Sequence, residues 1–200
     1  MVYVIGNGPS LLNVDFSKLT GRTYAVNRIW KLWKNNKDFT WRPTDYVRCE
    51  KPRIDARATD EDLREMSRVH GLIFHLEDRL SESWRRAYVR GISTHNDHFD
   101  PCAGKEAHDW HLPQICGYGT IVTTAIQVAV KDGASEICLL GCDLTMPQHF
   151  YEAEGFDRNE LALRAHEIAA RCSPVPIYNC TVGGNLNVYE RKELQWLKRN

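Results

Sequence analysis

Hydrophobic positions along this chain fall in short unbroken runs, each closed by glycine or a polar residue. Val2 to Ile5, Thr23 to Val26, Asp45 to Val47, Leu72 to Phe74, Glu136 to Leu140 and Pro176 to Tyr178 are of strand length and largely apolar. Continuous runs, rather than strict alternation, suit parallel strands covered on both faces. Between them the spacing turns helical. Leu63, Met66 and Val69 follow Asp60, Glu61 and Asp62, acids that favour a helix start, and Gly71 ends the pattern. Val122, Ala125, Ile126, Val128, Ala129 and Val130 mark a second helix closed by Gly133. Leu161, Leu163, His166 and Ile168 lie in a third, over 159–171. Short helices are also expected over Leu11 to Phe16 and, at the tail, Glu190 to Leu197. Strands alternating with helices predict an α/β protein: Rossmann-like, a mostly parallel sheet with helices on both faces, one domain over residues 1–200. The pattern weakens over 77–116, read as an irregular, lid-like insertion, and again from Met146 to Arg158.

Open sheets of this kind bind ligands at the carboxyl ends of their strands. The predicted ends are polar: Gly6-Asn7, Asn27, Arg48 to Glu50, Asp143 and Asn179. The first is the most suggestive, because Val2 to Ile5 runs into Gly6-Asn7-Gly8-Pro9-Ser10-Leu11. Gly6 and Gly8 permit unusual backbone angles and let an anion approach the main chain. Pro9 suits a first helical position, and the amides of the following turn would face a phosphate. Asn7 offers both an amide donor and a carbonyl acceptor. Two readings stand: a nucleotide-phosphate cradle, or a strand-to-helix turn that simply needs two glycines. The spacing matches neither the dinucleotide fingerprint nor the P-loop.

Composition narrows the partners. Lys+Arg and Asp+Glu balance at 26 each, so no global basic field recruits nucleic acid or anionic membrane. Arg85, Arg86 and Arg90 beside Trp84 form the clearest local basic cluster, read as a solvated helix face. The seven cysteines are scattered singly, without a C-x-x-C pair, which predicts reduced, buried thiols and a cytoplasmic location. The first strand opens at Val2, so no leader is expected, and no apolar run approaches the ~20 residues of a membrane span. His95, Asp97, His98, Cys102, His108, His111 and Cys116 are plausible metal ligands, yet they match no standard zinc spacing, and no metal is assigned.

The opening motif, Val26-Asn27, and Gly119 leading a helix into Glu136-Ile137-Cys138-Leu139-Leu140-Gly141-Cys142-Asp143 resemble the bacterial sialyltransferases that use CMP-sialic acid. They also resemble a broader group of archaeal 6-hydroxymethylpterin diphosphokinase-like proteins, to which Ile177-Tyr178-Asn179-Cys180-Thr181 with Gly183-Gly184 and Leu186 is closer. The likeness spans most of the chain except roughly Leu76 to Pro113. It implies cytidine-nucleotide contacts at Asn7, Gly8 and Asn27, with Gly119, Thr120, Gly141 and Asp143 nearby. Sialyltransferases of this kind need no metal; they use a histidine as base on the acceptor hydroxyl and tyrosines to steady the departing phosphate. A match to their histidine segment is lacking, and His149 and Tyr151 are the nearest candidates.

The leading expectation is a glycosyltransferase that moves a sugar from a nucleotide sugar, a CMP-sugar favoured, to an acceptor hydroxyl. The leaving phosphate would be held by the turn spanning Gly6, Asn7, Gly8, Pro9 and Ser10, with Asn27, Gly119, Thr120 and Gly141 completing the nucleotide site. A histidine has an ordinary pKa of about 6.5, so His149 would take the hydroxyl proton near neutral pH, with Asp143 orienting it or acting itself. No cofactor is required on this reading. The acceptor is a saccharide or a modified base, and an oligomer could complete the site. Two alternatives remain: an ATP-dependent diphosphokinase on a pterin-like alcohol, with Mg²⁺ held by acids such as Asp143 and Glu50, and a nucleotide-binding module without catalysis.

Overall fold

The computed structural model describes residues 1–34, 36–48, 56–77, 93–97, 99–100, 110, 112, 115–117, 119–152 and 159–194. The apolar runs form strands where expected: β1 (Val2–Ile5), β2 (Thr23–Val26), β3 (Asp45–Arg48), β4 (Ile73–Glu77), β8 (Ile137–Leu140) and β9 (Ile177–Asn179). With β5 (Ser93–Asp97) and β10 (Glu190–Arg191) they build an eight-stranded sheet in the order β10-β9-β8-β1-β2-β3-β4-β5. Every pairing in it is parallel. A separate pair joins β6 (Phe99–Asp100) to β7 (Ile115–Cys116).

Helices cover both faces, as the fold class requires. Alternation along β1 sends Tyr3 and Ile5 into one core with Leu63 and Met66 of α2 (Ala56–Met66), and Val4 into the other. That second core holds Val122, Ala125, Ile126 and Val128 of α3 (Ile121–Lys131) and Ala169 of α4 (Asn159–Cys172). A four-residue helix, α1 (Lys31–Lys34), follows β2.

Four local expectations change. Residues 77–116 are not wholly an irregular insertion, since β5 extends the main sheet beside β4. Its sequence, Ser-Thr-His-Asn-Asp, carries no apolar run to reveal it. The tail opens at Glu190 as strand rather than helix, and residues 195–197 of the expected helix lie outside the described residues. Its backbone pairs with β9, the Lys192 amide donates to the Asn179 carbonyl, and the Arg191 guanidinium donates to the Thr181, Gly183 and Gly184 carbonyls. The helix expected over Leu11 to Phe16 is two 3₁₀ turns, Pro9–Asn13 and Phe16–Lys18. The cysteines are not all thiols: Cys116 is disulfide-bonded, while Cys138, Cys142, Cys172 and Cys180 are free.

The topology places the carboxyl edge. The chain runs outward from β1 through β2, β3 and β4 to β5, then returns so that β8 lies on the other side of β1. The strand order therefore switches between β1 and β8, where an open α/β sheet leaves a crevice. Among the described residues, no helix is long and apolar enough to cross a membrane.

Candidate functional site

The switch-point crevice is filled by the chain itself. The Gly6 amide donates to the Leu140 carbonyl at 2.8 Å, and the Gly8 amide to the Gly141 carbonyl at 2.7 Å. Ser10 points both its amide (3.2 Å) and its hydroxyl (2.8 Å) at the Asp143 carboxylate. Pro9 has no N–H. Three of the four amides between residues 6 and 10 are thus already donating, and the expected main-chain cradle for a phosphate is not formed by them. The glycines serve closeness instead. Gly8 has ordinary angles, φ −66° and ψ 157°, but a Cβ there would lie 1.7 Å from Asp143 Oδ2. A Cβ on Gly6 would lie 2.4 Å from the Gly141 carbonyl oxygen, and Gly141 itself, at φ +64°, is pressed against Leu11. Gly184 closes over the Asp143 backbone from the far side, and the Asn185 amide donates to the Asp143 carbonyl. Asp143 is 6 % exposed; burial pushes its carboxyl above the usual range, against the pull of the Ser10 bonds. It therefore clamps the β1 turn to the end of β8, and its side chain engages Ser10 rather than His149.

A different corner, over the ends of β1, β2 and β3, gathers several of the side chains expected at the site. Asn7 is 5 % exposed and donates its side-chain amide to the Val26 carbonyl at 3.0 Å, while its Oδ1 is buried with no hydrogen-bond partner. The Asn7 carbonyl accepts from the Phe150 amide at 2.8 Å, which fastens the 149–152 turn beside it. One strand over, Asn27 sits in the left-handed region at φ 49°, a conformation asparagine tolerates better than most residues. The Tyr46 hydroxyl holds its carbonyl (2.9 Å) and Arg48 holds its Oδ1 (2.6 Å). Under this layer Asp62, 1 % exposed, accepts from the Trp30 indole at 2.8 Å. Two guanidiniums approach it, Arg48 at 3.3 Å and Arg28 at 3.8 Å, yet burial still raises its carboxyl above the ordinary value.

The 149–152 turn brings His149 and Tyr151 to this corner. His149 Nδ1 lies 2.6 Å from Glu152 Oε2, and its ring stacks on Tyr151 with centroids 5.1 Å apart and planes 3° from parallel. Lys31 Nζ is 4.7 Å and the Arg28 guanidinium 6.0 Å from the Tyr151 ring centre. Burial pushes the Tyr151 phenol well above its ordinary value, so it stays a hydrogen-bond donor.

The structure therefore divides the expected site residues. Asn7, Asn27 and Tyr151 share a corner with His149. Gly6, Gly8, Pro9, Ser10, Gly141 and Asp143 form the packed joint next to it. Gly119 and Thr120 open α3: a Cβ on Gly119 would lie 2.5 Å from the Ala165 Cβ, and the Thr120 hydroxyl caps the Val122 amide. Because α3 leads into β8, that helix start lies towards the carboxyl edge. Arg28, Lys31, Asp62 and Glu152 were not singled out from sequence. Arg28 adjoins Asn27 and Lys31 is one turn further on, a spacing that could have marked them. Glu50, Arg85, Arg86 and Arg90 lie outside the described residues, as do His98, Cys102, His108 and His111.

A second polar cluster lies under the opposite edge. Asp45, which opens β3, takes two bonds from Arg22 at 2.7 Å each and one from His75 at 2.9 Å, while Arg22 also reaches Asp132 at 2.8 Å. Burial pushes the Asp45 carboxyl up, but the His75, Arg22 and Thr44 bonds outweigh it and leave the group below its ordinary value. Asp45, His75 and Asp132 are close enough to hold a cation, with ligand atoms within 4.8 Å of one another. Arg22 already supplies positive charge there, so an ion would have to displace it.

No family model and no curated protein matches this chain. Solved structures do match over its length. The sialyltransferase CstII from Campylobacter jejuni, in complex with the substrate analogue CMP-3FNeuAc, is 12 % identical with a TM-score of 0.57, covering 100 % of this chain and 88 % of that one. The same enzyme with cytidine-5′-monophosphate is 14 % identical with a TM-score of 0.56, covering 95 % and 84 %. CST-II in complex with a trisaccharide acceptor and CMP is 12 % identical with a TM-score of 0.58, covering 100 % and 89 %. This chain shares the fold of those structures.

Proposed function

We propose that this protein is a glycosyltransferase that moves a sugar from a nucleotide donor, favouring a CMP-sugar, to an acceptor hydroxyl. The observation that carries the reading is the buried, unpartnered Oδ1 of Asn7 at the carboxyl edge. A buried acceptor without a donor costs roughly 1–3 kcal/mol, a cost a ligand removes by donating to it. One side-chain N–H of Asn7 bonds the Val26 carbonyl, and the ligand group that meets its Oδ1 must be a donor: the exocyclic amine of cytosine or a ribose hydroxyl. The matching sialyltransferase structures, solved with CMP or a CMP analogue, make a cytidine nucleotide the first candidate.

In this reaction His149 takes the proton of the acceptor hydroxyl. The hydroxyl oxygen bonds to the anomeric carbon, the bond from that carbon to the phosphate oxygen breaks, and CMP departs. Glu152 holds His149 through Nδ1, which leaves Nε2 as the proton-accepting nitrogen. The protonated Tyr151 hydroxyl donates to the departing phosphate. Asn27, locked by Tyr46 and Arg48, lines the donor side. No metal takes part on this reading.

Thermal-shift measurements with CMP, UDP, GDP and ATP, each with and without Mg²⁺, test it. Stabilisation by CMP without metal is expected. Stabilisation by ATP alone, and only with Mg²⁺, would overturn the reading in favour of a diphosphokinase.

A further inference from the structure

With the amides of Gly6, Gly8 and Ser10 occupied, the anionic part of a donor needs another holder. The corner around Tyr151 has the charge for it. Of the cations there, Arg48 is bound to Asn27 and Asp62, and Lys34 pairs with Glu61 at 3.3 Å. Glu152 is taken by His149. Among the described residues, Arg28 has one weak ion pair, 3.8 Å to an Asp62 carboxylate that Arg48 and Trp30 already share. Lys31 has no carboxylate partner among the described residues. The Lys31 amide bonds the Arg28 carbonyl, so the two residues sit one turn apart, and both side chains reach the same aromatic ring. Like charges at this spacing repel, and among the described residues the shared Asp62 carboxylate is the one counter-charge that reaches the pair. The chain as a whole is neutral, so this is a local excess rather than a reflection of composition.

We infer that Arg28 and Lys31, together with the Tyr151 hydroxyl, form a side-chain grip for the phosphoryl group of the ligand. The inference rests on the nucleotide reading above and deepens it, because it moves phosphate recognition from the glycine turn to side chains on the β2–α1 connection and the 149–152 turn. The grip neighbours Asn7, whose carbonyl anchors that same turn through Phe150. One molecule could therefore meet the buried Asn7 acceptor with its nucleoside and the cations with its phosphate. Arg28 supplies planar donors, Lys31 a point charge, and Tyr151 a hydroxyl kept protonated by its surroundings.

Isothermal titration of cytidine, CMP and inorganic pyrophosphate into wild type, Arg28→Gln, Lys31→Gln and the double variant tests the grip. Both side chains are partly exposed, so the fold should tolerate each change. CMP should bind wild type more tightly than cytidine. Each single variant should weaken CMP roughly 10-fold and the double variant about 100-fold, with cytidine unchanged. A double variant that still prefers CMP over cytidine by the wild-type margin overturns the inference, as does an equal loss for both ligands. If wild type binds pyrophosphate but neither cytidine nor CMP, and the double variant loses pyrophosphate, the nucleotide reading fails while the anion grip stands. If none of the three binds wild type, both fail.

Discussion

Replacing Gly8 by alanine drives a methyl group into a buried carboxylate. Its Cβ would lie 1.7 Å from Asp143 Oδ2, 2.6 Å from Asp143 Cγ and 2.8 Å from the Gly141 carbonyl oxygen. The carboxylate has little room to give, because Oδ2 holds the Ser10 hydroxyl and Oδ1 holds the Ser10 amide. Either the backbone shifts, an overpacking cost of about 1–3 kcal/mol, or Asp143 rotates and forfeits hydrogen bonds to a charged group, about 1.5–3 kcal/mol. Either route costs roughly 1–3 kcal/mol, and in a domain of this size each kcal/mol lowers Tm by about 2–4 °C. Urea denaturation of the ligand-free protein reads this directly. In an Asp143→Ala background the methyl has space, so the same glycine change should cost distinctly less, a coupling that a double-mutant cycle measures. The reasoning is refuted if Gly8→Ala leaves ligand-free stability within about 0.5 kcal/mol of wild type and lowers only nucleotide affinity. That outcome would restore the turn as a ligand cradle.

Three further outcomes are expected. His166 is buried against Tyr189, and burial pushes its pKa down to about 3. Between there and the ordinary value of about 6.5 the unfolded chain binds the extra proton, so stability falls as pH drops through that window, by up to about 1.4 kcal/mol per unit. Urea midpoints at pH 7.0, 6.0 and 5.0 should fall more steeply for wild type than for His166→Gln, and parallel curves would remove His166 as the cause. Asn27→Val should destabilise the protein by about 1–3 kcal/mol more than Asn27→Gly, since only glycine takes the positive φ freely; equal urea midpoints would contradict this. His149→Ala should lower the rate of sugar transfer to acceptor, read as CMP released, by about 10²–10⁴-fold, with Glu152→Gln in between; unchanged rates would take both out of the reaction.

What the sequence revealed, and what it hid, follows from the kind of interaction involved. Buried strands announce themselves because parallel pairing covers both faces, so Val2 to Ile5 and Ile137 to Leu140 could hardly be anything else. The helix from Ile121 showed in its apolar spacing, and eight of its residues are buried. β5 was hidden because its residues are polar, and β10 because two residues carry no period. Glycines misled in a specific way: Gly6 and Gly8 are required by contacts with Gly141 and Asp143, more than 130 positions away, and a local reading can see only the turn. Asn7 and Asn27 were legible as polar strand ends. The pairing of His149 with Glu152, three residues apart, was available in the sequence but lay in an irregular stretch without a register to suggest it. The gathering of Arg28 and Lys31 around Tyr151 is a tertiary event, set by the Phe150–Asn7 bond that brings the turn across.

The claim on which this account rests is that a cytidine nucleotide lies over the ends of β1, β2 and β3. A crystal structure of the protein soaked with CMP tests it most directly. The account predicts density above these strand ends, with a donor of the nucleoside within hydrogen-bond distance of Asn7 Oδ1 and the phosphate against Arg28, Lys31 and Tyr151. Ordered CMP elsewhere, with Asn7 Oδ1 still unpartnered, would contradict it.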